Sequence, residues 1–194
     1  MANCKASYDG GAIMNAGSLE MKSCIIDKCT AGHYGGAIFV NLGDDDRDAT
    51  GNTELIVEGC TFTNNSARTG GAIHYCNGST LKLDGYIDEG NKTIPLTFSG
   101  NSDEKGTCDV YVGTELKATT IKPFTLGNSF ESEGKITLAI QKAKAGVVVC
   151  SGGASDIDSF ASQNVDYEFE TSGSDIVLKT VLIEYTLTTD GKGT

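Results

Sequence analysis

The amino-acid sequence predicts an all-β fold, a right-handed parallel β-helix of about four coils followed by a small β-rich C-terminal module. Three observations carry this reading. Gly10-Gly11-Ala12-Ile13, Gly35-Gly36-Ala37-Ile38 and Gly70-Gly71-Ala72-Ile73 are copies of one tetrapeptide, 25 and then 35 residues apart. Each copy precedes a second apolar stretch, Leu19-x-Met21-x-x-Cys24-x-Ile26, Leu55-x-Val57-x-x-Cys60-x-Phe62 and Leu81-x-Leu83-x-x-Tyr86-Ile87. The 25 glycines against 2 prolines, with no tryptophan, suit short strands joined by many tight turns.

Each repeat therefore holds two strands. A short strand cannot bury one face alone, but strands laid about 4.8 Å apart in parallel register bury a continuous row of like side chains. Ile13, Ile38 and Ile73 form one predicted row and Leu19, Leu55 and Leu81 a second. Met21, Val57 and Leu83 form a third, and Ile26, Phe62 and Ile87 a fourth. The paired glycines, Gly35-Gly36 and Gly70-Gly71 among them, suit corners where the chain turns sharply or passes close to the coil beneath.

Phe62-x-x-Asn65 and Phe98-x-x-Asn101 each close a stretch before a glycine-containing turn. Asparagine tolerates the left-handed region and bonds nearby backbone, so Asn65 and Asn101 are predicted corner residues, bonding their own coil. The second copy is longer because of Asn41 to Asn52, read as an insertion loop leaving one corner. Gly106 to Val112 falls where a fourth, degenerate coil would place its strand.

The alternation of Gly-Gly-Ala-Ile with Phe-x-x-Asn, over residues 10 to about 112, resembles the repeat signature of the polymorphic membrane proteins of chlamydiae and related bacterial surface proteins. That resemblance implies an exported β-helix, many such proteins being autotransporter passengers and adhesins. It implies an extracellular or outer-surface location, with a host or neighbouring cell-surface protein or glycan as partner. The sequence departs from the autotransporter pattern in that no long amphipathic β-barrel follows. An export signal and an anchor would lie outside the given residues.

The repeat fades near Ile121, and Lys122-Pro123 is the expected boundary between an array at 1–121 and a cap or linker at 122–194. Ile136-x-Leu138-x-Ile140 alternates as a half-buried strand, and Val147 to Cys150 reads as a more buried one. Ser155 to Asp158 resembles a helix start, and Tyr167 to Thr171, Asp175 to Thr180 and Leu182 to Thr188 read as strands. Such a segment can cover the unpaired end of an array.

Net charge is −11, so a phosphate backbone would be repelled and nucleic acid is excluded as a partner. No stretch approaches the roughly 18 to 20 apolar residues of a membrane span. The seven cysteines include no C-x-x-C pair, which argues against zinc and favours buried thiols over a disulfide framework. No cofactor is expected.

Parallel β-helices also include polysaccharide lyases and glycosidases, the alternative function. The acidic run Asp44-Asp45-Asp46-Arg47-Asp48 could hold calcium or an acid–base pair, but it is a single loop. A rigid catalytic face would repeat its carboxylates at equivalent strand positions, and the sequence has no such repeat. No nucleophile partner can be fixed for His74 or His33. By strand alternation Met14, Phe39 and His74 point outward in one row, an apolar to aromatic binding strip. The expectation is a structural and adhesive module, not an enzyme.

Overall fold

The computed structural model describes residues 1–41, 53–76, 78–113 and 121–182. The described chain is all-β apart from one short 3-10 helix, Ala154–Ser159, and its strands fall mostly into three stacked, parallel sheets. Sheet 1 contains Ile13–Asn15, Ile38–Val40, Ile73–Tyr75, Val110–Val112, Ile136–Ile140 and Phe160–Ser162, all parallel. Sheet 2 contains Ser18–Lys22, Glu54–Glu58, Thr80–Asp84, Phe124–Leu126 and Val148–Ser151, also parallel. Sheet 3 contains Ile25–Asp27, Thr61–Thr63, Leu96–Ser99 and Ser132–Glu133. In chain order the backbone visits sheets 1, 2 and 3 in rotation as far as Val148–Ser151, and each such circuit lies against the last.

The inward rows follow the register. Ile13, Ile38, Ile73, Val110 and Leu138 face one another in succession, as do Leu19, Leu55 and Leu81, and Met21, Val57, Leu83 and Leu126. Each fully buried side chain in these rows stabilises the stack by about 1.5–3 kcal/mol, and Ile13, Leu19 and Leu126, only partly buried, contribute less. The fourth row differs from the predicted one. Ile26 and Phe62 are followed by Phe98, not Ile87, and the Phe62 and Phe98 rings stack at 5.0 Å. Tyr86–Ile87 pairs instead with Thr93–Ile94 in a small antiparallel hairpin that leaves the circuit between sheets 2 and 3. The Phe-x-x-Asn motif, not the nearest apolar pair, marks the sheet 3 strand.

The glycine pairs do two different things. The first of each pair is left-handed, with φ of +60° at Gly10, +63° at Gly35 and +75° at Gly70. The second is a contact point between circuits. A Cβ on Gly11 would lie 2.0 Å from the Gly36 carbonyl oxygen, one on Gly36 2.1 Å from that of Gly71, and one on Gly71 2.4 Å from that of Cys108. Only hydrogen fits there, which explains why the motif recurs in register.

Asn65 and Asn101 are wholly buried and point inward, and the left-handed corner residues are the ones just before them, Asn64 and Gly100. The two amides bond mainly between circuits, the link from Asn101 to Asp109 excepted. Asn65 Nδ2 donates to the Ile26 carbonyl at 3.0 Å and to Asn101 Oδ1 at 3.0 Å, while its Oδ1 accepts from the Cys29 amide at 2.9 Å. Asn101 Nδ2 donates to the Phe62 carbonyl at 2.9 Å and to Asp109 Oδ1 at 3.0 Å, and Asp109 Oδ2 accepts from the Thr137 amide at 2.8 Å. This ladder satisfies backbone groups that the corner would otherwise leave unpaired in a dry core.

The parallel stacking does not stop at Lys122-Pro123. Phe124–Leu126, Ile136–Ile140, Val148–Ser151 and Phe160–Ser162 continue sheets 1 and 2 in parallel. The motif is absent from these circuits, so the sequence loses its repeat while the backbone keeps its own. The expected helix start at Ser155 to Asp158 is the 3-10 helix, which lacks a side-chain cap. Tyr167–Ser172 and Asp175–Thr180 form an antiparallel hairpin whose second strand closes sheet 2 against Val148–Ser151. The strand expected at Leu182 to Thr188 lies, beyond Leu182, outside the described residues.

Candidate binding face

Strand alternation on sheet 1 puts Met14, Phe39, His74, Tyr111 and Ala139 in one outward row, each directly opposite the next. Met14, Phe39 and His74 therefore share a face, as the alternation requires. Their exposure differs. Met14 is 57% exposed, but Phe39 and His74 are only 4% and 5% exposed, so these two do not form an open strip. The cause is Tyr34, one residue ahead of a glycine pair. Its ring lies 5.4 Å from that of Phe39, stacked, and 4.7 Å from that of His74. Tyr111 stacks on His74 from the next circuit at 4.6 Å.

What solvent meets is a second set of rings. Tyr8 is 69% exposed and Tyr34 41%, and Tyr8 packs edge-on against His33 at 5.3 Å. Asp9 anchors this corner. Its Oδ1 accepts from the Tyr34 amide at 3.2 Å and lies 4.0 Å from His33 Nδ1. Tyr8, Tyr34 and Tyr111 are absent from the predicted strip. The signal for the first two was present: Tyr8-Asp9 and His33-Tyr34 each immediately precede a glycine pair, at the spacing of the repeat itself.

The buried groups are not poised for proton transfer. Burial pulls the His74 pKa down from 6.5 to about 4, with the Thr69 backbone opposing by less, so the ring is neutral at neutral pH. Its Nδ1 is buried without a hydrogen-bond partner among the described residues. Burial also pushes the Tyr111 hydroxyl up to about 12 and the thiols of Cys108 and Cys150 to about 12. All seven cysteines are free thiols. Asp109, whose pKa burial raises, is committed to the internal ladder. Among the described residues no three His, Cys, Asp or Glu side chains gather as a metal site would require, and no helix is long and apolar enough to cross a membrane. The acidic run Asp44 to Asp48 lies outside the described residues.

One span carries a complete set of corner elements: the left-handed Gly59, the sheet 3 strand with Phe62, the ladder residue Asn65, the pair Gly70-Gly71 and the row residues Ile73 and His74. Residues 59–75 match the Chlamydia polymorphic membrane protein repeat. The match covers one repeat, and it points to a module of a bacterial surface protein. No curated protein and no solved structure matches the chain. What the repeat contributes physically is the inter-circuit contact at glycine and asparagine, with an outward residue every second position left to vary.

Proposed function

We propose that this chain is a right-handed parallel β-helix serving as an extracellular structural and adhesive module of a bacterial surface protein. It binds a host or neighbouring cell-surface protein or glycan through its outward face and corners, without covalent chemistry. The observation that carries this is the polymorphic membrane protein repeat at residues 59–75, set in a stack whose sheet 1 corner exposes Met14, Tyr8 and Tyr34 together. Large apolar side chains clustered on a surface are characteristic of interaction sites. The internal rows are filled by aliphatic side chains and the asparagine ladder, which gives a rigid rod able to hold such a face away from a cell. The C-terminal hairpin covers one edge of that rod.

Labelled chain should bind cultured epithelial cells or extracellular matrix saturably, and Tyr8→Ser should lose at least tenfold in affinity while keeping its melting temperature. Wild-type chain with no saturable binding to cells or matrix refutes the adhesive reading. Release of unsaturated or reducing ends from pectin, alginate or another polyuronate would replace it with the carbohydrate-active one.

A further inference from the structure

The outward row of sheet 1 changes character at one step. His74 covers one face of the Tyr111 ring, stacked at 4.6 Å, but the residue opposite Tyr111 on the following circuit is Ala139. The stack of rings thus ends at the methyl group of Ala139, and beside the two lies a cleft of about 500 Å³. That is the size range of small-molecule sites. Its lining includes Tyr111, Ala139, Lys105, Lys142, Gln163 and Asn164, and among the described residues no Asp or Glu lines it. On a chain with 26 acidic and 15 basic residues, a described lining that carries two lysines runs against the overall charge. Gln163 is held in place, its Nε2 donating to Asp103 Oδ1 at 2.8 Å and to the Thr107 carbonyl at 3.1 Å. Asp103 Oδ1 also accepts from the Lys105 amide at 2.8 Å, so one carboxylate behind the wall fixes both the amide side chain and the backbone that carries Lys105.

We propose that this cleft binds an acidic sugar, with a pyranose ring against the free side of Tyr111 and its carboxylate or sulfate beside Lys105 and Lys142. The inference rests on the surface-binding reading above and names its ligand class. A pyranose presents a flat patch of C–H groups that suits an aromatic face. Its hydroxyls need amide partners of the kind Gln163 and Asn164 supply, and its charge needs cations in a site partly shielded from salt.

The test is a titration of the chain with sialyllactose, a heparin-derived octasaccharide and neutral lactose, by NMR and calorimetry. At least one acidic sugar should bind saturably, at least tenfold more tightly than lactose, and more weakly at high salt. Sialyllactose and the octasaccharide separate a carboxylate from a sulfate preference. Ala139→Phe places a ring where the sugar would sit, stacked under Tyr111. It should abolish binding while keeping the melting temperature, and Lys105→Glu should weaken binding at least tenfold. Equal affinity for lactose, no binding by either acidic sugar, or wild-type affinity in Ala139→Phe would each overturn the proposal. Cell binding measured on the same preparations separates the two readings. Chain that binds cells but no acidic sugar overturns the cleft alone, and chain that binds acidic sugar but no cells overturns the adhesive reading alone.

Discussion

Two regions of this molecule build the same parallel ladders by different means. From Gly10 to Asn101 the circuits are written in a repeat: a left-handed glycine, a second glycine pressed against the next circuit, an isoleucine row and an inward asparagine. From Val110 to Ser162 the strands remain parallel and in register, yet the motif is gone. Cys108 provides the carbonyl that Gly71 abuts, and Asp109 takes the place of an asparagine at the end of the polar ladder. The difference shows which positions the stack requires. Rows of aliphatic side chains tolerate Ile, Val and Leu in turn, whereas the close contacts and the buried polar ladder tolerate little.

The largest effect should come from breaking a close contact in the regular region. Gly36→Ala puts a methyl group 2.1 Å from the Gly71 carbonyl oxygen and 2.5 Å from the Ser66 amide nitrogen, both backbone atoms that cannot rotate away. The variant should fail to fold or lose at least about 4 kcal/mol, the upper range for single substitutions. Gly17→Ala is its control, since nothing lies within 4 Å of the added methyl and its φ is not left-handed. A chemical denaturation midpoint for Gly36→Ala equal to that of Gly17→Ala would mean that circuit spacing is not set by the second glycine.

Next comes the ladder. Asn65→Ala orphans the buried Cys29 amide, removes the side-chain donor to the Ile26 carbonyl, and leaves Asn101 Oδ1 with the Asn65 backbone N–H alone of its two donors. Unmade buried hydrogen bonds cost about 1–3 kcal/mol each, and local relaxation recovers part, so a loss of about 3 kcal/mol is expected. Asp109→Asn tests the irregular continuation. Its two carboxylate oxygens face two donors, Asn101 Nδ2 and the Thr137 amide, and an amide side chain can satisfy only one of them. Urea unfolding should show Asp109→Asn destabilised by about 1–3 kcal/mol, comparable with Asn65→Ala or below it. A neutral Asp109→Asn would mean that the ladder ends at Asn101.

How much of this was legible in the sequence follows the same division. The glycine pairs and the Phe-x-x-Asn stretches revealed the isoleucine and leucine rows because identical contacts impose identical residues. They misled at Ile87, where an apolar pair in a side hairpin mimicked a row that belongs to Phe98. Past Lys122 the rows accept any aliphatic residue, so no repeat is visible although stacking continues to Ser162. The outward row shows a further limit. Alternation along a strand correctly orders Met14, Phe39 and His74 on one side, but it carries no information on whether a corner residue folds back over them. Tyr34 does so, and exposure is decided by that packing and not by strand parity.

Burial of His74 under Tyr34 and Tyr111 gives an effect seen only on acidification and the most direct check on that last point. The folded pKa is about 4 against 6.5 for the free side chain, so the folded state binds the proton less readily than the unfolded chain does. Its contribution to stability is therefore fully present above pH 6.5, is lost as pH falls from 6.5 towards 4, and changes no further below that. At about 1.4 kcal/mol per unit, moving from pH 7.5 to pH 4.5 should remove about 2–3 kcal/mol through this residue. His74→Phe keeps a ring between Phe39 and Tyr111 but cannot take up the proton, and the two proteins share every other side chain. Urea unfolding of both at the two pH values isolates the term: wild type should lose about 2–3 kcal/mol more than His74→Phe on acidification. Equal losses would show that His74 reaches solvent, that Tyr34 does not hold its place over the row, and that Met14, Phe39 and His74 form an open strip after all.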